Sequence, residues 1–129
     1  MEPLLIEATE STPKIVLDKE ANTFEIIGKS FPEESRSFYA PVFEWLNQYA
    51  ENPNEQTVFQ FKMEYFNSAS SLIMLEIMNV LDKMHKAGKK VSILWNHLDT
   101  DDDMLEAGEE YSELVGVPFE FKALEDIQY

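Results

Sequence analysis

Four small polar residues stand between an aromatic segment and an apolar segment in YFNSASSLIMLEIM, residues 65–78: Asn67, Ser68, Ser70 and Ser71. A serine hydroxyl can act as a nucleophile, accept a phosphoryl group, or cap a helix by binding a backbone N–H. Asn67 or Ser68 suits the capping role, if the apolar segment is a helix. A phosphate is also favoured there, because a helix N-terminus offers backbone N–H groups and the positive end of the macrodipole.

A second group with potential chemistry is His97 followed by Asp99, Asp101 and Asp103. Because sites gather at strand ends in α/β sheets, this group supports an alternative function as a small metal-dependent hydrolase. Carboxylates at the start of a helix also favour its dipole without any metal ion. The chain has no GxSxG motif and no glycine-rich phosphate loop. The sequence therefore argues against an enzyme, and it predicts no cofactor and no bound metal.

Composition narrows the function further. The chain has 129 residues, no cysteine and a formal net charge of −15, and it is predicted to form a single domain over residues 1–129. Such a charge repels phosphate backbones and anionic lipids, so neither nucleic acid nor membrane is an expected partner. No signal peptide and no apolar stretch of about 20 residues are present. We expect a soluble, cytoplasmic, acidic protein.

Alternating and helical patterns along the chain indicate which elements position these residues. Strands are predicted at 4–7, 14–17, 23–27, 57–65, 90–95 and 119–124, and helices at 69–87 and 101–115. Another helix lies between Pro32 and Asn52, and it begins late or kinks at Pro41. The first strands form an antiparallel hairpin, and the βαβαβ second half predicts parallel strands. The fold class is therefore α/β, with a mixed sheet.

The helix that follows the serines carries two different faces. At 100° per residue its core face comprises Ile73, Met74, Ile77, Met78, Val80, Leu81 and Met84. The polar face comprises Glu76, Asn79, Asp82, Lys83 and Lys86, with Leu72 and Leu75 among them. Ser68 projects to the same side. Leu72 and Leu75 either cover a neighbouring element or belong to a binding surface beside Ser68.

Several motifs occur in a recognisable order along nearly the whole chain. They are STP at 11–13, FPEES at 31–35 with Trp45 downstream, YFNSASS at 65–71, KKVSILWN at 89–96 and DTDDDMLEAGEEY at 99–111. In this order they resemble the SiaC family of bacterial regulatory phosphoproteins. The resemblance implies a fold similar to the STAS domain of anti-sigma-factor antagonists, without enzymatic activity.

The family resemblance also implies a mechanism. Its members are switched by a serine/threonine protein kinase and a PP2C-type phosphatase, and in the best-known system the unphosphorylated form activates a diguanylate cyclase that controls biofilm formation. The modified residue follows the asparagine of a YxN motif, which is Ser68 here, where many relatives have threonine; Ser70 and Ser71 are second choices. The predicted partner-binding surface comprises Asn67, Ser68, Leu72, Leu75, Glu76 and Asn79.

Overall fold

A computed structural model describes residues 1–129 as one six-stranded sheet with three helices. The strands are β1 (Leu4–Ile6), β2 (Lys14–Asp18), β3 (Thr23–Ser30), β4 (Gln56–Phe66), β5 (Lys90–Leu98) and β6 (Phe119–Leu124). The helices are α1 (Ser35–Glu51), α2 (Ser68–Lys86) and α3 (Asp102–Leu114). None of the helices combines the length and apolar character needed to cross a lipid bilayer.

The sheet keeps the order of the chain, from β1 at one edge to β6 at the other. The β1–β2 and β2–β3 pairs are antiparallel, whereas β3–β4, β4–β5 and β5–β6 are parallel. The predicted mixed sheet, with an N-terminal hairpin and a parallel second half, is confirmed. Because each parallel crossover advances by one strand in the same direction, right-handed crossovers put all three helices on one face.

Alternation along the strands determines where the core lies. Phe59, Phe61 and Met63 of β4 are buried and face the helices, whereas Gln60 and Lys62 between them are only half-buried on the other face. The same alternation occurs in β2 and β3. The hydrophobic core therefore lies between the sheet and the three helices, and the helices present their outer faces to solvent.

The strands β3 and β5 each extend three residues further than the sequence pattern predicts, whereas α1 lies within its predicted range. The strand β3 continues past Gly28 to Ser30, because Gly28 adopts a φ of +120° and the pairing register with β4 shifts at that point. The helix α1 begins at Ser35 and continues through Pro41, so the alternative of a late start at Pro41 is wrong. The end of β3 and the first turns of α1 therefore lie next to the start of α2, where Ser30 contacts both Tyr39 and Ser70.

Candidate functional site

The turn between β4 and α2 is fixed by Asn67. Its side-chain Oδ1 accepts a hydrogen bond of 2.9 Å from the N–H of Ser70, and its own N–H donates to the carbonyl of Ser30 at 3.1 Å. Asn67 is therefore the N-cap, one of the two alternatives that the sequence offered, and Ser68 is the first residue of the helix. This places Ser68 at the carboxyl edge of the parallel strands.

The three serines of the cluster lie in different surroundings. Ser68 is exposed, Ser71 is half-buried, and Ser70 has 0% of its surface exposed. At about 100° per residue Ser68 and Ser70 point to nearly opposite sides of the helix, and Ser71, which lies nearer to Ser68, is covered by Tyr111. Ser68 is therefore the serine whose hydroxyl an external molecule can reach.

Ser70 takes part in a buried chain of hydroxyl groups. Ser30 Oγ donates to Ser70 Oγ at 2.8 Å and lies 2.7 Å from the hydroxyl of Tyr39. Burial raises the pKa of Tyr39 to about 12, even though the hydrogen bond with Ser30 acts in the opposite direction. The phenol stays protonated and can donate to Ser30. These contacts tie β3, α1 and the first turn of α2 together.

Ser71 is held by Tyr111 of α3. Tyr111 donates to the backbone carbonyl of Ser71 at 2.9 Å, and the two side-chain hydroxyls are 2.8 Å apart. Burial raises the pKa of the Tyr111 phenol, so it remains a donor at neutral pH. Two hydrogen bonds thus join the first turn of α2 to α3.

A surface groove of about 460 Å³ lies beside Ser68, and it is lined by Phe66, Asn67, Ser68, Ser71 and Leu72. Leu72 is one helical turn after Ser68 and is 64% exposed. An exposed hydroxyl and a large exposed apolar side chain therefore share one surface, as the helical pattern predicts. We call the exposed side of α2 that carries Ser68, Leu72, Glu76 and Asn79 the α2 surface.

Glu76 continues this surface and makes a contact to α1. Its carboxylate binds the guanidinium of Arg36 in two places, with Nη1–Oε2 at 2.7 Å and Nη2–Oε1 at 3.1 Å. The Oε2 atom is shielded from solvent and meets no other polar group. Asn79, three residues after Glu76 on the same side of the helix, is exposed. The α2 surface therefore contains an ion pair that joins it to α1.

Two residues of α2 differ from their predicted positions. Leu75 is half-buried and packs against the core, so it is wrong to place it among the exposed residues. Asp82 is buried, where its Oδ1 accepts from the N–H of Gly116 at 3.0 Å and its Oδ2 lies 3.0 Å from Lys86 Nζ. Burial opposes ionisation of Asp82, but hydrogen bonds from Lys86, Gly116 and Val117 outweigh it and lower the pKa of the carboxyl.

The structure does not bring His97 and the aspartates together into a site. His97 is buried at the end of β5, and its Nδ1 lies 2.9 Å from the carbonyl of Leu98. Asp101 caps α3 by accepting from the N–H of Met104 at 3.0 Å, and Asp99 is exposed. No group of three or more histidine or acidic side chains is arranged to hold a metal ion.

Three residues of the candidate site were not anticipated from the sequence: Ser30, Arg36 and Tyr111. Ser30 and Tyr111 hold the first turn of α2 through hydroxyl contacts, and Arg36 supplies a cation beside it. Of the three, only Arg36 stands out in the sequence, because it is the single arginine of an acidic chain. The roles of Ser30 and Tyr111 depend on contacts between elements that are far apart in the sequence.

Comparison with known proteins gives consistent matches over nearly the whole chain. The family model described as SiaC family regulatory phosphoprotein matches residues 6–124. A protein of Pseudomonas aeruginosa strain UCBPP-PA14 is 28% identical over 123 residues, which are 95% of this chain and 98% of that protein.

Solved structures from Pseudomonas aeruginosa are similar in fold. The crystal structure of apo-SiaC superposes with a TM-score of 0.87 at 28% identity, covering 95% of this chain and 100% of that chain. A second match is the crystal structure of the diguanylate cyclase SiaD in complex with its activator SiaC. It gives a TM-score of 0.89 at 28% identity, covering 94% of this chain and 99% of that chain.

Proposed function

Because the chain belongs to the SiaC family of regulatory phosphoproteins, we propose that it is a signalling module whose partner binding is switched by phosphorylation of Ser68. The family acts through regulation and not through catalysis of its own. In this proposal residues 1–129 act as one STAS-like domain. The module docks through the α2 surface, together with Asn67 at its start and the half-buried Leu75 three residues after Leu72.

The observation that carries the proposal is the shared position of Ser68 and Leu72. Both side chains are exposed, and both line the groove at the start of α2. A partner that covers Leu72 therefore also covers the Ser68 hydroxyl. The partner that binds Leu72 must therefore either accommodate a phosphate on Ser68 within the interface or lose affinity for the protein.

Burial favours Ser68 over the neighbouring serines as the modified residue. Phosphorylation of Ser70 would require its fully buried hydroxyl to leave its contact with Ser30. Phosphorylation of Ser71 would require its hydroxyl to leave Tyr111. Ser68 can accept a phosphate without the loss of either contact, so modification there is compatible with the folded chain.

The physical effect of the switch is electrostatic. Phosphoserine adds a charge of about −1.5 to −2 at neutral pH. The N-terminus of α2 stabilises that charge within the module, because backbone N–H groups and the helix dipole favour an anion. An interface that is built for a neutral hydroxyl must instead desolvate or repel the phosphate. The modification therefore changes binding without unfolding the module.

The proposed partners follow from the family. A serine/threonine kinase adds the phosphate and a PP2C-type phosphatase removes it, both in the cytoplasm. The downstream partner is a diguanylate cyclase, through which the module controls biofilm formation. Support for this partner comes from Pseudomonas aeruginosa SiaC, which is an activator of the cyclase SiaD.

The test measures binding to a SiaD-type diguanylate cyclase encoded in the same genome, together with product formation by that cyclase. Wild-type protein and Ser68→Ala should bind and activate it. Ser68→Asp and protein carrying phosphoserine at position 68 should bind at least about tenfold more weakly, a loss of roughly 1.4 kcal/mol. Mass spectrometry of protein purified from its own cells should find the phosphate on Ser68.

Ser112→Asp is the matched control for Ser68→Asp, because it also replaces a serine by an aspartate but on a different helix, α3. In the wild-type protein Ser112 donates to the carbonyl of Glu109. This variant should bind and activate the cyclase like wild type. Equal binding by Ser68→Ala, Ser68→Asp and the phosphorylated protein would contradict the proposal, as would phosphate found only on another residue.

A further inference from the structure

Arg36 is an unusual residue in this chain. It is the only arginine among 10 basic and 25 acidic residues, and its side chain is 72% exposed in the first turn of α1. Its guanidinium nevertheless holds one ordered contact, the two-pronged pair with Glu76. Planar guanidinium groups recognise carboxylate and phosphate equally well in this geometry.

The position of this pair relates it to Ser68. Ser68, Leu72 and Glu76 are spaced by four residues, so they form one row along the exposed side of α2. The first turns of α1 and α2 are held together through Ser30, which contacts Tyr39 on one helix and Ser70 on the other. Arg36 therefore lies alongside the row that ends at Ser68.

We propose that Arg36 is the internal receiver of the phosphate on Ser68, and that it leaves Glu76 when Ser68 is phosphorylated. This inference rests on the proposed modification of Ser68. In the unmodified protein the guanidinium binds Glu76. Eight helical residues separate Ser68 from Glu76, about 12 Å along the axis, so in the modified protein the guanidinium must swing from one end of the row to the other by a change of side-chain rotamers.

Relative charge decides which acceptor wins. The Arg36–Glu76 pair lies at the surface, with side chains 72% and 40% exposed, and surface pairs contribute only about 0–1 kcal/mol. Phosphoserine carries about −1.5 to −2 charges and three acceptor oxygens, against one charge and two oxygens for a carboxylate. Phosphate is therefore the stronger acceptor, and the Glu76 Oε2 atom, which is shielded while the pair is closed, must be hydrated when Arg36 leaves.

The exchange would alter the α2 surface at two positions. The phosphate appears at one end of the row, and the Glu76 carboxylate loses its cation at the other end. Leu72 then lies between two anionic groups. A partner that docks on Leu72 would meet both changes from a single modification.

The first experiment uses protein with phosphoserine incorporated at position 68 during translation, so that no kinase and no partner is needed. The pKa of the phosphate is measured by ³¹P NMR in the otherwise wild-type chain, Arg36→Gln, Glu76→Gln and Lys29→Gln. A bound guanidinium favours the dianion. We expect Arg36→Gln to raise the phosphate pKa by about half a pH unit, a roughly threefold change in proton affinity, and Glu76→Gln to lower it.

Lys29→Gln is the matched control. Lys29 is the residue before Ser30 and is paired loosely with Glu64 at 3.9 Å. Because neighbouring residues of a strand point to opposite faces, Lys29 projects away from the helices. Its removal deletes one positive charge near the same edge of the sheet and should leave the phosphate pKa unchanged.

The second experiment observes Arg36 directly. As the only arginine, it gives a single side-chain Nε–Hε signal in ¹⁵N-resolved NMR spectra. This signal should move when Ser68 is replaced by phosphoserine, and in the unmodified chain it should move in Glu76→Gln. Equal phosphate pKa values in the wild-type and Arg36→Gln chains, or an unmoved Arg36 signal, would overturn the inference. Both measurements use protein with phosphoserine already in place, so they do not depend on whether cells modify Ser68. A failure of the Arg36 exchange can therefore be distinguished from a failure of the proposed phosphorylation switch.

Discussion

Ser30 Oγ and Ser70 Oγ lie 2.8 Å apart, and this contact joins the last residue of β3 to the first turn of α2. Both side chains are fully buried. The contact sets the position of the helix start, and with it the direction in which Ser68 faces. Two serines separated by one residue thus have different roles, since Ser70 holds the helix and Ser68 faces solvent.

Ser70→Ala should therefore destabilise the protein, whereas Ser68→Ala should not. Removal of the Ser70 hydroxyl leaves the buried Ser30 donor without its acceptor, which costs about 1–2 kcal/mol of unfolding free energy. Removal of an exposed hydroxyl changes that free energy by less than about 0.5 kcal/mol. Urea denaturation of both variants measures the difference. Equal stability of the two variants would contradict the assignment of roles.

Tyr111→Phe should loosen the contact between α2 and α3. The variant loses the hydrogen bond to the Ser71 carbonyl and the contact with the Ser71 hydroxyl, and keeps the ring. We expect the free energy of unfolding to fall by about 1 kcal/mol. Tyr65→Phe is the matched control, because Tyr65 is 51% exposed and should tolerate the same change. A stable Tyr111→Phe variant would show that ring packing alone holds the two helices.

Leu72→Ala should weaken binding of the cyclase without lowering stability. Leu72 is 64% exposed, so its truncation removes little from the core. Loss of a large apolar side chain from an interface typically costs more than 1 kcal/mol at a central position, so we expect affinity to fall about tenfold. Leu5→Ala on β1 is the control, because Leu5 is also 64% exposed but lies at the far edge of the sheet. If both variants bind alike, docking does not use the α2 surface.

Asp82 should contribute stability that depends on pH. Its folded-state pKa is lower than that of an ordinary aspartate, so the stabilisation is present above the unfolded-state value, about 3.9, and disappears as pH falls through the folded-state value. Asp82→Asn should therefore be less stable than wild type at pH 6, and the difference should shrink in acid. Thermal denaturation from pH 6 to pH 3 tests this, with Glu113→Gln as an exposed control. A difference that is constant with pH would contradict it.

The sequence was most informative where local patterns coincide with burial. Ile73, Ile77 and Met84 follow the helical period and are buried, and the N-cap is Asn67, one of the two capping residues predicted, so α2 begins one residue before its predicted start. Local periodicity fails at Leu75 and Asp82. Leu75 packs against the core, and the backbone N–H of Gly116 makes a buried carboxylate favourable at Asp82.

The contacts that shape the candidate site could not be predicted in this way. Ser30–Ser70, Arg36–Glu76 and Ser71–Tyr111 each join residues that are 40 positions apart in the chain. Helical and strand periods relate neighbours within one element, and they carry no information about which side chains meet across elements. For Ser68, therefore, local patterns predict its position at a helix start, while its surroundings depend on the tertiary structure.

The order of the strands has a consequence for how the chain folds during synthesis. Every strand of the sheet pairs with the strand that precedes or follows it in the sequence. No strand has to insert between two that are already paired, so the sheet can grow from β1 as the polypeptide leaves the ribosome. Short sequence separation between paired strands also lowers the loop-closure entropy of each addition and favours rapid folding. The segment that carries Ser68 is completed only when α3 has also emerged, because Tyr111 holds the neighbouring Ser71.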